Sequence, residues 1–252
     1  MKMINFNVHR ASQRRRHTYR PVIIYCRYIS LTIALVLSTL VYAQTAKALE
    51  LRCANANVAV QSANLADAKL VCEGAADAIR FLGDHRFMTN VRVEVVVVDT
   101  LPDIIGPGAY GGYILAEGRA YLLNSSEIAD RGSIFGLPVE EPLYRSLATH
   151  EVAHAIATLN FETSTPPVEA QEYIAYVVMF ANMPAEYRDQ LLERVAGQRF
   201  DDERQINDFV YLVEPLRFGI LVYKHFMKLE NKTDFLQQVL SGRQLAGANP
   251  PY

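Results

Sequence analysis

Glu141-Pro-Leu-Tyr-Arg-Ser-Leu-Ala-Thr-His-Glu-Val-Ala-His-Ala-Ile-Ala-Thr-Leu159 is the stretch from which the rest of the chain can be read. Glu140 and Glu141 favour the positive end of a helix, and Pro142 suits a first turn, where its missing N–H costs nothing. Asn160 is a natural stop, so the pattern predicts a helix near residues 141–159. On that helix Leu143, Leu147, His150, His154 and Ala157 share one stripe, and Tyr144, Ala148, Val152, Ala155 and Leu159 form another. A helix apolar nearly all round is a buried one. Two imidazoles and the Glu151 carboxylate on such a helix need partners that offset their desolvation.

Working outward, the chain before this helix contains strands and the chain after it only helices. From Asn64 to about Leu82 the apolar residues Leu65, Ala68, Val71, Ala75, Ile79 and Leu82 recur at the helical period. Val91-Arg-Val-Glu-Val-Val-Val-Val-Asp99 then turns β-branched and reads as a strand entering a core. Tyr113–Ala116 and Arg119–Leu123 flank the polar turn Glu117-Gly118 and predict a hairpin, in a sheet of three or four strands. A polar loop follows to Leu137. After the central helix, another starts with Pro166 and Pro167 in its first turn and runs to about Ala181; further helices are expected at Pro184–Val195, Asp202–Tyr211, Pro215–Leu229 and Thr233–Ser241, before a frayed tail from Gly247. The order of elements is that of an α+β fold: a small antiparallel or mixed sheet with a hairpin, then a mainly helical C-terminal half.

Residues 1–48 contain no Asp or Glu but carry eight Lys and Arg, and the apolar run Ile29–Val41 follows the basic stretch. That is the layout of a secretory signal, with small residues at Ala43 and Ala46–Ala48 for cleavage. The run is 13 residues long, short of the roughly 20 that span a bilayer, so export to the periplasm or medium is expected and a retained N-terminal anchor is the alternative. The pairs Arg14-Arg15 and Arg15-Arg16 lie too far upstream of the run to favour the twin-arginine route over the conventional one. Residues 49–252 then form a single domain, in which 17 Lys and Arg face 27 Asp and Glu, a net charge of −10. Such a balance argues against nucleic acid as a partner, and no stable membrane association is expected once the leader is gone. With Cys26 in the leader, Cys53 and Cys72 remain in an oxidising compartment, where a disulfide between them is expected; two separate buried thiols are the alternative.

His150 and His154, four residues apart, project from one helix face and can reach one tetrahedral ion, implying one Zn2+ per chain. Glu151, beside the first of them, can take a proton from an attacking water and pass it to a leaving amine. A third protein ligand is expected from the next helix. There Val168, Glu172, Ala175, Tyr176 and Met179 share a stripe that puts Glu172 in the middle of the apolar face, so Glu172 is the expected ligand and Glu169, nearer the edge, its alternative.

Thr149-His-Glu-Val-Ala-His-Ala-Ile156 and Glu172-Tyr-Ile-Ala-Tyr-Val177 resemble the two site helices of the gluzincin-type zinc metallopeptidases, which include small exported bacterial proteins. The resemblance covers roughly residues 110–240 and implies a zincin-like fold, hydrolysis of amide bonds in a peptide or protein substrate, and zinc held by His150, His154 and Glu172 with Glu151 as general base. Tyr173 follows Glu172 where those peptidases commonly have Gly. Their oxyanion-stabilising side chain lies downstream, and Tyr211, Arg217, Tyr223 and His225 are the candidates for it in this chain. Tyr110-Gly-Gly-Tyr113 either flanks the cleft or forms a turn, and the outer hairpin strand either pairs with a substrate or is structural.

Two other classes fit parts of the pattern. Glu151 and His154 are half of a di-iron carboxylate site, but the chain has no second Glu-x-x-His and its strands argue against a four-helix bundle. The stronger rival is a non-catalytic, zinc-stabilised binding module of the periplasm, or a peptidase relative that has lost turnover; the carboxylate of Glu151 favours the enzyme, because a purely structural site has no use for it.

Overall fold

A computed structural model describes residues 49–246, apart from Asn55. The expected leader, Cys26 and the tail from Gly247 lie outside the described residues. Among the described residues five strands form one mixed sheet: β1 (Leu49–Arg52), β2 (Val58–Ser62), β3 (Val93–Val98), β4 (Gly111–Ile114) and β5 (Arg119–Leu123), in the order β1-β2-β3-β5-β4. β1 and β4 pair antiparallel at the two ends, while β2, β3 and β5 run parallel in the middle. The described residues also hold eight α-helices: α1 (Leu65–Asp84), α2 (Ser125–Asp130), α3 (Glu141–Thr158), α4 (Val168–Asn182), α5 (Ala185–Glu193), α6 (Asp208–Val213), α7 (Pro215–Lys228) and α8 (Lys232–Leu240). The α+β class and the helical C-terminal half are as expected from the sequence.

The sheet has one covered and one solvated face because its strands alternate. Val58, Val60, Val93, Val95, Val97, Ala120 and Leu122 are buried. On the other face Gln61, Glu94, Arg119 and Tyr121 stay partly exposed, and Glu94 binds both Arg92 and Arg119. Helices α1 and α3 lie against the covered side and against each other, α4 packs on α3, and α7 packs on α4. The α1–α3 crossing is close because Gly74 has no Cβ; one built there would stand 2.7 Å from the Arg145 carbonyl and 2.9 Å from the Thr149 nitrogen. The buried Asp77 carboxylate, which takes the Arg145 guanidinium on α3 and Arg80 on its own helix, ties the same pair of helices together.

The sheet is larger than the sequence implies. β1 and β2 are four and five residues long, too short for their alternation to stand out, and they exist by pairing with each other and with β3. In the polar loop before Leu137, Asn124 caps the one-and-a-half-turn helix α2 by accepting from the Glu127 N–H. The turn between β4 and β5 spans Leu115–Gly118, wider than Glu117-Gly118, with Gly118 at φ 65°. Pro166 and Pro167 precede α4 instead of occupying its first turn. The expected helix at Asp202–Tyr211 is divided into a short 3-10 turn, Glu203–Gln205, and α6, because Asn207 caps a new start by accepting from the Val210 N–H.

Cys53, just after β1, is bonded to Cys72 in α1, as expected. The bridge closes a loop with a sequence separation of 19 around β2 and fastens the sheet edge to its helix layer. Among the described residues no helix is long and apolar enough to cross a membrane.

Candidate metal centre

Helix α3 begins at the expected place, with Pro142 in its first turn, and is buried along most of its length. Its two histidines meet: His150 Nε2 and His154 Nε2 are 3.0 Å apart, the rings edge to face with centroids 4.6 Å apart. Helix α4 crosses so that Glu172 closes the group, one carboxylate oxygen 3.4 Å from His154 Nε2 and the other 3.5 Å from His150 Nε2. Glu169, one turn earlier, is buried elsewhere and does not reach the histidines. Side chains of the triad keep only 10–12 % of their surface exposed.

These three residues form a cluster that can hold a metal ion. An ion bound at about 2.0–2.1 Å in tetrahedral geometry has ligand atoms roughly 3.3–3.4 Å apart. The observed edges of 3.0, 3.4 and 3.5 Å bracket that figure. Buried polar atoms are also left over: Glu172 Oε2, Glu151 Oε2 and His150 Nδ1 make no hydrogen bond among the described residues. Leaving such atoms unpaired is costly, and a cation in the triad offsets part of that cost. The donor set therefore fits a metal.

Electrostatics at the centre follow from burial and from the triad itself. Desolvation works against the Glu172 carboxylate, but the facing His154 and His150 outweigh it and hold its proton affinity well below the usual carboxylate range. Desolvation also works against protonated His154, and Glu172 reverses it, so that His154 is the more basic of the two rings. His150 is pushed down by burial. Glu151, whose burial is only partly compensated by His154, is pushed up to about 8.

The surroundings position these groups. Gly111 in β4 lies directly against Glu151: a Cβ there would be 2.7 Å from Glu151 Oε1. Tyr176 on α4 presses its ring on His150, centroids 4.6 Å apart. It has room to do so because Gly219 of α7 lies behind it; a Cβ on Gly219 would be 2.3 Å from Tyr176 Cδ1. Glycine in a strand marks close approach, so the Gly111-Gly112 pair was a readable signal, whereas the role of Gly219 depends on a helix packing that no local pattern announces.

The centre opens into a cleft of about 900 Å³ bounded by β4, the preceding loop, α3, α4 and α6. Of the four downstream candidates only Tyr211 lines it. Burial, together with the nearby Glu172 and Glu151 carboxylates, holds the Tyr211 phenol well above its ordinary range, keeping it a proton-bearing donor. The others lie elsewhere. Arg217 pairs with Glu214 and Gln198 on the surface, Tyr223 stacks on Phe180, and His225 Nδ1 is 2.9 Å from the Tyr173 hydroxyl in the layer behind α4.

β4 is the edge strand of the sheet on the cleft side. The Leu123 N–H donates to the Tyr110 carbonyl, which fixes the ladder phase: residues 110, 112 and 114 bond to β5. The N–H and C=O of Gly111 and Tyr113 therefore point to the open side.

No curated protein and no solved structure matches the chain. Residues 58–248, which hold the triad, Glu151 and the whole cleft, match the model of a family of unknown function, DUF6639, and the chain belongs to that family.

Proposed function

We propose that the protein is an exported zinc-dependent hydrolase that cleaves amide bonds in peptides, on a zincin-like plan. The observation that carries this reading is the coincidence of a two-histidine, one-carboxylate cluster with a separate buried glutamate, Glu151, on the wall of an open cleft. Three protein donors with one face open is the arrangement of catalytic zinc sites, whereas structural sites are closed by four. Zinc held by His150, His154 and Glu172 would supply Lewis acidity, polarising a substrate carbonyl and acidifying a water.

The chain's own residues do the rest. Glu151, whose carboxylate lies on the cleft wall beside the triad, takes the proton of the attacking water and delivers it to the departing amine nitrogen. Tyr211 donates its phenol proton in a hydrogen bond to the oxygen on which negative charge develops. Gly111 and Tyr113 pair through their backbone with an extended substrate, which lays the scissile bond across the cleft. The disulfide and the acid-free basic leader support export.

The test is elemental analysis of the purified chain beside His154→Ala, followed by a peptide-cleavage assay with Glu151→Gln. About one zinc per chain, lost in His154→Ala, with cleavage by the wild type and none by Glu151→Gln, is the expected result. Zinc without cleavage would return the protein to the binding-module class, and no zinc after zinc-replete purification would end the reading.

A further inference from the structure

We propose that the cleft recognises the interior of an extended polypeptide through bulky apolar side chains and gives no counter-charge to either chain terminus, so that the protein acts as an endopeptidase selective for apolar segments. This rests on the peptidase reading above.

The first observation is a census of charge. Among the described residues that line the cleft the charged or basic side chains are Glu151, Glu172, His150 and His154, and there is no Lys or Arg. A C-terminal carboxylate, like a phosphate, needs a fixed cation to offset its desolvation, and away from the triad, whose metal the reading reserves for the scissile carbonyl, the lining supplies none. A protonated α-amino group needs a free carboxylate. Neither carboxylate is placed to hold one: Glu172 faces the histidines at 3.4–3.5 Å, and Glu151, one oxygen of which is unpaired, stands beside the triad as the base of the proposed reaction. Bringing either end of a chain into the cleft would therefore bury an unpaired charge, and the interior of a chain avoids that cost.

The second observation is where aliphatic surface is left in water. Three of the exposed large apolar side chains, Ile104, Leu115 and Val168 at 77 %, 57 % and 44 %, line this one cleft, joined by the partly exposed Ile105 and Leu216. They come from the loop before β4, the hairpin tip and the starts of α4 and α7, so no single element's packing accounts for their convergence. An apolar rim on several elements around one opening marks a surface that is covered when the ligand is in place. The third is the open edge of β4, whose alternating donors and acceptors match a polypeptide backbone and not a lipid.

The experiment uses the full-length Glu151→Gln protein loaded with zinc, and fluorescence anisotropy of labelled ten-residue peptides acetylated and amidated at their ends. The blocked Leu- and Phe-rich peptide is expected to bind about tenfold or more tightly than a blocked Lys- and Glu-rich one, and within about threefold of its own unblocked form. Ile104→Asp with Leu115→Asp, both at exposed positions, is expected to weaken that binding about tenfold with zinc content unchanged. Preference for unblocked ends, preference for the charged peptide, or indifference to the double substitution would overturn the proposal. If the apolar peptide binds but the wild type does not cleave it, the peptidase reading falls and the recognition stands; if peptides are cleaved without apolar preference, the recognition alone falls.

Discussion

Glu151 sits where a charge is expensive and a proton is welcome. Its folded pKa of about 8 lies above the ordinary 4.5, so the fold favours the neutral form. The sign follows: its contribution to stability is fully present below about pH 4.5 and is lost as the pH rises through about 8. Gln at the same position has no charge to bury. In chelator, Glu151→Gln should therefore gain stability over the wild type between about pH 5 and 8, by on the order of a few kcal/mol, read as the difference between two melting-temperature profiles. Excess zinc should shrink the difference, because a cation beside Glu151 stabilises its carboxylate. A pH-independent gap between the two proteins would show that Glu151 titrates normally in the fold.

At the scale of elements, the geometry of the centre is held from behind. α7 presents Gly219 to α4, Tyr176 fills the gap, and the Tyr176 ring braces His150. Gly219→Ala should push that ring out of place, costing about 1–3 kcal/mol in denaturant unfolding, and should also weaken zinc binding although residue 219 touches no ligand. Loss of stability with unchanged zinc affinity would mean that Tyr176 does not hold His150. On the other side of the molecule the Cys53–Cys72 bridge joins the β1 end of the sheet to α1. Replacing both by Ala should lower unfolding free energy by about 3 kcal/mol, the figure for a loop of about 20 residues, measured by denaturation without reductant. Since the bridge is remote from the triad, zinc content should not change.

For the whole molecule, a metal held by the triad would make binding and folding one equilibrium. α3 and α4 are brought together by apolar packing, yet that packing forces His150, His154 and Glu172 into contact with buried atoms unpaired. Zinc at about 100 times its dissociation constant should add about 2.7 kcal/mol, and for a domain of this size raise the melting temperature by about 5–10 °C. Glu172→Ala should abolish most of that rise, and chelation should reverse it in the wild type. A melting temperature indifferent to zinc would separate the cluster from metal binding.

Local pattern was enough for what repeats along the chain or sits within one turn. The period of α1, the β-branched run of β3, the hairpin and the buried helix α3 are legible because burial imposes 3.6- and 2-residue periods, and His150 and His154 meet because they are one turn apart on the same helix. The pairing of Cys53 with Cys72 is legible because no other cysteine lies in residues 49–252. β1 and β2 were not legible: strands of four and five residues carry too little alternation, and only their neighbours in the sheet hold them. Nor was α2, a six-residue helix created by an Asn cap. The choice of Glu172 over Glu169 was legible in the apolar stripe of α4, which turns Glu172 and not Glu169 toward the buried face, and the structure groups Glu172 with the histidines. Tertiary structure alone decided which downstream side chain enters the cleft: Tyr211 is set apart from Arg217, Tyr223 and His225 only by the packing of α6 and α7 on α4. Helix packing is a property of surfaces from distant parts of the chain, and no local period records it.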